Sequence, residues 1–523
     1  MKIKNIDKNF FIKSIILIFF LFVTIYYLRT HINTDLDSDN SSELVLGRLL
    51  ADENRILTEN WYYSTELRVI NTNIIYSLMF KLTDKWYRVR LFSNICMFLV
   101  LLTAYYGMCC AYNIKKYFPL SASLLFIPFS TEYYLYVLKG AYYIPHILYA
   151  ILILTFSELF LKTSGKKQYC WAVLSFIISF LSGLGGPRQM LNLFLPMLAA
   201  ALIIIFGRMR NRESKKFLLF SFAVFTGNGI GYIVNSKILA QKYHFMQWEY
   251  VEFTDFSVSQ FVKVVTSFLS SFGYETGPIS FLSLLRNFVC MAWVLMTIIA
   301  VAYGIKNRQY VSSQFVRLAF ITVMMFTVHS VFYCFTNAFL RNRFSLPVIF
   351  VTFPLIALYF EQVNWNKWIS ELIFTSMVLL TGLSGLYFYY SHYNEDPLLE
   401  LRRISKDLVD LGYYNGYASF WNANILTELS NGRIEVWSVW EKPQDLENMD
   451  EINQPLPWLQ FVSHDVMHPE GKTFLLFNKD EIDYHNDWKD KLTEDDIIVH
   501  SNNYVIYGFS DYESLRIDLF PDS

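Results

Sequence analysis

Thr34-Asp35-Leu36-Asp37-Ser38-Asp39-Asn40 follows a long apolar run, Phe11 to Leu28, and precedes the aromatic and charged run Asn60-Trp61-Tyr62-Tyr63-Ser64-Thr65-Glu66-Leu67-Arg68. Three carboxylates spaced two residues apart repel one another, and unpaired charge at a membrane surface is costly. Such a cluster at the end of a membrane-crossing helix points to chemistry or to a cation. Asp, Asn and Ser also favour turns and N-caps, so the same residues suit a cap for a following helix.

Working outward, the composition sets the class. Hydrophobic residues make up 54% of the 523, and charged residues only 17%, well below the share usual in soluble domains. Apolar runs recur near 11–29, 91–111, 119–136, 143–161, 169–186, 190–207, 217–238, 283–304, 315–337, 344–360 and 368–390. They predict an α-helical polytopic membrane protein with about eleven transmembrane helices. The first run has a basic start, Met1-Lys2-Ile3-Lys4, but no small-residue cleavage site, and reads as an uncleaved anchor.

Charge in the connecting loops orients the helices. Lys2, Lys4 and Lys8, then Lys115/Lys116, Lys162/Lys166/Lys167, Arg208/Arg210/Arg212/Lys215/Lys216, Lys306/Arg308 and Lys367 all fall on one side if the helices alternate. The positive-inside rule then predicts a cytoplasmic N-terminus and an extracytoplasmic C-terminal region. A transmembrane domain, 1–390, would carry two long outer loops, 30–90 and 239–282. Residues 391–523 read as an α/β domain with helices near 396–411 and 420–429. Strands are expected near 413–418, 433–440, 473–477 and 504–507. The six cysteines lie in apolar runs and form no disulfide or zinc pattern. Lys and Arg sit in short clusters between spans, so no nucleic-acid partner is expected. A Cys-free outer region favours a bacterial plasma membrane.

Four cations break the topology rule: Lys139, Arg188 in Gly185-Gly186-Pro187-Arg188-Gln189, and Arg341 and Arg343 in Arg341-Asn342-Arg343-Phe344. Guanidinium forks match phosphate oxygens, so cations at the outer boundary opposite an acidic loop suit a lipid phosphate. Pairing with outer-loop acids, or reaching to head groups, is the plainer account. His146 and His329, in apolar runs, read as helix-packing residues. Gly227-Asn228-Gly229-Ile230-Gly231 reads as a close helix contact.

A long outer loop after the first helix, opening on Asp37-Ser38-Asp39 and running on to Glu43-Leu44-Val45-Leu46-Gly47-Arg48-Leu49-Leu50, resembles the GT-C superfamily of integral-membrane glycosyltransferases. That group includes protein O-mannosyltransferases and lipid A aminoarabinose transferases. Arg343-Phe344-Ser345-Leu346-Pro347 is similar to a late Arg-Tyr-x-x-x-Pro element of such enzymes, with Phe344 in place of Tyr. Ser38 stands where many members have a second acid, and the Trp-Trp-Asp-Tyr-Gly signature of oligosaccharyltransferases is absent.

The resemblance implies sugar transfer from a polyprenyl-phosphate donor to a hydroxyl of a glycan, lipid or protein acceptor at the outer face, with inversion. Asp37 would be the base, and Asp39 would orient the acceptor, with a one-step shift of the match exchanging them. Arg343, Arg341, Arg188 and Lys139 would hold the lipid phosphate, and Trp61 and Glu66 would flank the acceptor. Two carboxylates fall short of the ligand number of calcium, so no metal or other cofactor is expected. The alternatives are a lipid-linked-sugar flippase and a polysaccharide polymerase or ligase. The flippase would place charges deep in several spans and show structural repeats, whereas charge here gathers outside.

Overall fold

The computed structural model describes residues 8–64, 67–207, 211–245, 251–278, 280–439, 457–482 and 491–519. Among these, eight helices are long and apolar enough to cross a membrane: Lys8–His31, Trp86–Ala111, Ile144–Lys162, Arg212–Ile233 with its extension to Gln241, Phe281–Lys306, Ser313–Cys334, Leu346–Gln362 and Lys367–Ser391. Lys166–Gly183 and the apolar stretch Met190–Phe206 run among them. Every residue from Leu346 to Phe360 is buried, as befits a helix that is apolar all round and occupies the centre of a bundle. Peripheral helices instead turn Phe11, Ile18, Phe22, Leu219, Phe288 and Leu295 outward. The protein is an integral membrane protein by these helices.

The expected span at 119–136 is not one helix. Phe118–Ser123 is helical, Leu124–Phe126 tightens to a 3₁₀ turn, and Ile127 is extended (φ −114°, ψ 126°) before the chain coils again over Thr131–Lys139. The cause is Pro128, which pushes the residue before it out of the helical region. Backbone groups freed inside a bilayer must find partners. Tyr133 donates to the Leu125 carbonyl at 2.8 Å and Thr24 to that of Phe126 at 2.5 Å, and every residue from Pro119 to Ser130 is buried.

Despite this break, the two ends of the bundle separate as the loop charges require. At one end Lys13 meets Glu371 (3.1 Å), Lys116 meets Glu361, and Lys162 donates to Gln314 (2.9 Å). Arg317, on Ser313–Cys334, bridges Glu158 and Glu213 there at 2.7 and 2.6 Å, joining three helices. At the other end lie Asp35, Asp37, Asp39, Lys139 and Arg343.

The glycine-rich stretch does pack helix on helix. A Cβ at Gly231 would lie 2.1 Å from the Phe180 carbonyl oxygen of Lys166–Gly183. Backbone cannot yield as a side chain can, so Gly231→Ala is expected to cost about 1–3 kcal/mol. A thermal midpoint equal to that of the unchanged protein would show that these helices part freely.

In the C-terminal region β1 (Asn415–Ser419), β2 (Glu435–Val439), β3 (Thr473–Asn478), β4 (Ile497–His500) and β5 (Tyr504–Phe509) form one sheet in the order β2-β1-β3-β5-β4. β1 is parallel to β2 and β3, and the β4–β5 hairpin adds antiparallel. Side chains alternate across it, as period-two strands must. Phe474 and Leu476 face Leu399–Asp410 and Phe420–Leu429, while Leu475 and Phe477 face Tyr512–Leu519. β4 and the last helix were not anticipated; the other elements fall within a few residues of expectation.

The two long loops meet one another and this sheet region. Tyr62 and Tyr63 pair in parallel with His244 and Phe245, and Trp61 bridges to Phe461.

Candidate functional site

Asp37 has extended backbone (φ −131°, ψ 159°) and is the N-cap of Ser38–Glu53, its Oδ1 accepting from the Asn40 amide at 2.9 Å. The turn-and-cap reading of the acidic stretch is therefore correct, and it places the carboxylate. Asn40 Nδ2 donates to Asp37 Oδ2 at 2.5 Å, and Lys139 Nζ lies 3.4 Å from that oxygen. The same ammonium is 3.0 Å from Asp35, which also accepts from the Tyr134 hydroxyl at 3.1 Å. Lys139 is buried, and its own carbonyl takes a 2.7 Å bond from Asn94. Expected among the phosphate cations, its ammonium lies in this structure between two carboxylates, whose mutual repulsion it offsets.

Residues around Asp37 point alternately to two sides. Asp35, Asp37 and Asp39 meet the basic groups of the mouth. Leu36 enters the sheet region's core beside Leu398 and Leu401, and the Ser38 hydroxyl donates to the Phe420 carbonyl.

Asp39 faces Arg343, whose Nη1 is 3.7 Å from its Oδ2. Its side chain keeps 38% of its surface open to the mouth but is packed by protein elsewhere. That packing raises its carboxyl above the ordinary value, the Asp37 charge adds to the rise, and Arg343 opposes both. Arg343 lies over the Tyr136 ring at 4.8 Å, and its buried Nε has no hydrogen-bond partner among the described residues. Arg188 stacks on Phe344 at 4.5 Å and donates to the Tyr143 hydroxyl at 2.7 Å. Arg341 is exposed and lies over Phe339 at 4.4 Å. The structure thus brings Asp35, Asp37, Asp39, Lys139 and Arg343 together, sets Arg188 one ring away, and leaves Arg341 outermost.

Trp61 is 0% exposed and packs edge-on against Phe461, so no face of it is open to an acceptor. Glu66 lies outside the described residues. His146 is buried against Gln189, and His329 is bonded to the Met325 carbonyl at 2.9 Å, both as packing residues. Among the described residues no three His, Cys, Asp or Glu side chains converge as metal ligands.

Several neighbours were not foreseen. Glu43, one turn after Asp39, is bound by Arg68 and by Asn71 (3.2 Å), and Arg68 lies over the Tyr142 ring at 5.7 Å. Arg90 and Glu428 form a pair 1% and 2% exposed. The helical spacing of Asp39 and Glu43 was a readable signal; the distant partners carried none.

No family model matches the sequence, and no curated protein sequence does. Solved structures do. ArnT from Cupriavidus metallidurans in the apo state superposes with a TM-score of 0.58 at 9% identity, over 94% of this chain and 97% of that one. The same protein bound to undecaprenyl phosphate gives 0.54 at 9% identity over the same shares. At that identity the likeness establishes the fold, and the chain is built on the architecture of ArnT, an aminoarabinose transferase of the GT-C type.

Proposed function

We propose that this protein is a membrane glycosyltransferase that moves a sugar from a polyprenyl-phosphate donor to an acceptor hydroxyl at the outer mouth of the bundle. The observation that carries this is the meeting of Asp37 and Asp39 with Lys139 and Arg343 at one end of an ArnT-like fold. A relative of that fold binds undecaprenyl phosphate, and a guanidinium on a side chain 24% exposed, set beside the carboxylates, suits the same chemistry here.

In the proposed reaction the acceptor hydroxyl gives its proton to Asp37 as its oxygen attacks the anomeric carbon. The bond from that carbon to the phosphate oxygen breaks, its electrons leave with the phosphate, and Arg343 takes up the developing charge. One backside displacement inverts the anomeric centre. Lys139 holds Asp37 in place, Asp39 orients the acceptor, and Arg188 and Arg341 assist the lipid phosphate. No metal takes part in this scheme. The reading requires a cytoplasmic N-terminus and an extracytoplasmic sheet region, in a bacterial plasma membrane.

Labelling from outside tests the orientation. A Cys introduced at Ser510 is expected to react with an impermeant maleimide, and one at the exposed Lys215 to stay unlabelled until the membrane is opened. The reverse pattern would put the acidic mouth in the cytoplasm and remove the proposal. Activity is tested by incubating the full chain in nanodiscs with extracted polyprenyl-phosphate sugars and envelope acceptors. The expected products are free polyprenyl phosphate and a glycosylated acceptor. Flipping of the donor without cleavage would favour the transporter.

A further inference from the structure

Behind Asp37 a hydrogen-bonded chain runs from the sheet region to the carboxylate. Glu428, on Phe420–Leu429, takes Arg90 Nε at 2.7 Å and Nη2 at 2.5 Å. The same Nη2 donates to the Asn40 carbonyl at 3.0 Å. Asn40 in turn donates both its backbone amide and its side-chain amide to Asp37, one to each oxygen. The two links through Arg90 are buried, and the last opens at Asp37, whose side chain is 35% exposed. Arg90 belongs to the membrane helix Trp86–Ala111, Asn40 to the outer helix Ser38–Glu53, and Glu428 to the sheet region. Asn40 has no slack, because a Cβ on Gly140 would lie 2.0 Å from its Oδ1.

A buried arginine–carboxylate pair is a poor way to gain stability, since desolvating two charges offsets most of their attraction. Its retention here, with one guanidinium nitrogen shared between the pair and the backbone of Asn40, asks for another role. Resting on the reading of Asp37 as the base, we propose that Glu428 and Arg90 are positioning residues, orienting Asp37 through Asn40 and setting its basicity. The bidentate pair fixes the guanidinium plane, which fixes the Asn40 carbonyl and hence the donors that hold both Asp37 oxygens. The Glu428 charge also balances Arg90, whose field would otherwise fall on Asp37. The other charged and titratable groups facing Asp37 are Lys139, Asp35, Asp39, Tyr76 and Tyr142.

Glu428→Gln in full-chain nanodiscs tests this with the extracted polyprenyl-phosphate sugars as donor. Gln keeps the shape but removes the balancing charge. The expected kcat is lower by between about 10- and 100-fold, with the donor KM within about twofold, because the lipid site is untouched. The sign of the pH effect follows from charge. Uncompensated Arg90 stabilises the Asp37 carboxylate, so the acid limb of the kcat profile moves to lower pH. Glu428→Asp, which keeps the charge, is expected to return the limb to its place and part of kcat. A merely structural pair would lower the thermal midpoint and leave the profile of the folded fraction unchanged; that result overturns the proposal. If Glu428→Gln does not fold, Gly140→Ala displaces Asn40 without touching the pair, and a kcat equal to that of the unchanged protein then overturns it. Asp37→Asn is run beside them. An inactive Asp37→Asn with an unaltered Glu428→Gln defeats this inference alone, whereas a fully active Asp37→Asn defeats the base assignment and this inference with it.

Discussion

Asp37→Asn is expected to abolish sugar transfer while leaving insertion and donor binding intact. The substitution keeps the shape and can still accept the Asn40 amide through its carbonyl oxygen, so the helix Ser38–Glu53 keeps a cap. It cannot accept a proton. General-base groups contribute about a hundred- to ten-thousandfold, and loss of that scale in kcat with unchanged donor KM is the expected signature. Asp39→Asn is the informative companion. Burial and the Asp37 charge raise the carboxyl of Asp39, whereas Asp37 is the one held on both oxygens. Position outweighs basicity in this proposal, so Asp39→Asn is expected to lose less and Asp35→Asn least. A dead Asp39→Asn beside a working Asp37→Asn would move the base by two residues. Full activity in all three would leave the stretch a cap and nothing more.

Removing Arg343 is expected to have the next largest effect, on donor KM as well as on kcat. Arg343→Ala leaves Asp39 without its counter-charge and the departing phosphate without its donor. Loss of one donor aimed at developing charge costs about 100- to 1,000-fold in kcat, and the ground-state phosphate is bound less well too, so donor KM should rise. Arg343→Lys should recover only part of both, since an ammonium cannot present two parallel N–H groups. Because Arg343 rests on the Tyr136 ring, the aromatic platform remains in the variant and folding is not expected to suffer. Donor turnover by folded Arg343→Ala at the normal rate would place the phosphate site elsewhere, with Arg188 on its Phe344 ring the next candidate.

Much of this was legible in the chain because charge is scarce in a membrane protein, so each charged residue narrows the choices. Loop cations sorted the two ends of the bundle, and the exceptions to that sorting, Lys139 and Arg343, came together beside the acidic stretch. Hydropathy reports whether a segment is apolar, not whether it is straight, and so the broken crossing at 119–136 passed as a helix. Pro128 after Ile127 was its readable mark. The burial of Trp61 was hidden for a related reason, since an aromatic residue looks the same in sequence whether it lines a groove or fills a core. Arg90 and Glu428 were invisible because a buried pair 338 residues apart leaves no local pattern.

The Ser38 hydroxyl and the Phe420 carbonyl that it grips are 382 residues apart in the chain. At ordinary synthesis rates of about 5–20 residues per second, roughly 20–75 s separate their appearance at the ribosome. Throughout that interval the acidic stretch has neither the pocket for Leu36 nor the Glu428 behind Arg90. A nascent chain halted anywhere before the sheet region would be anchored in the bilayer yet chemically silent. On the proposed function, a copy made only as far as residue 419 would lack the contacts that set Asp37 and could not turn over its donor.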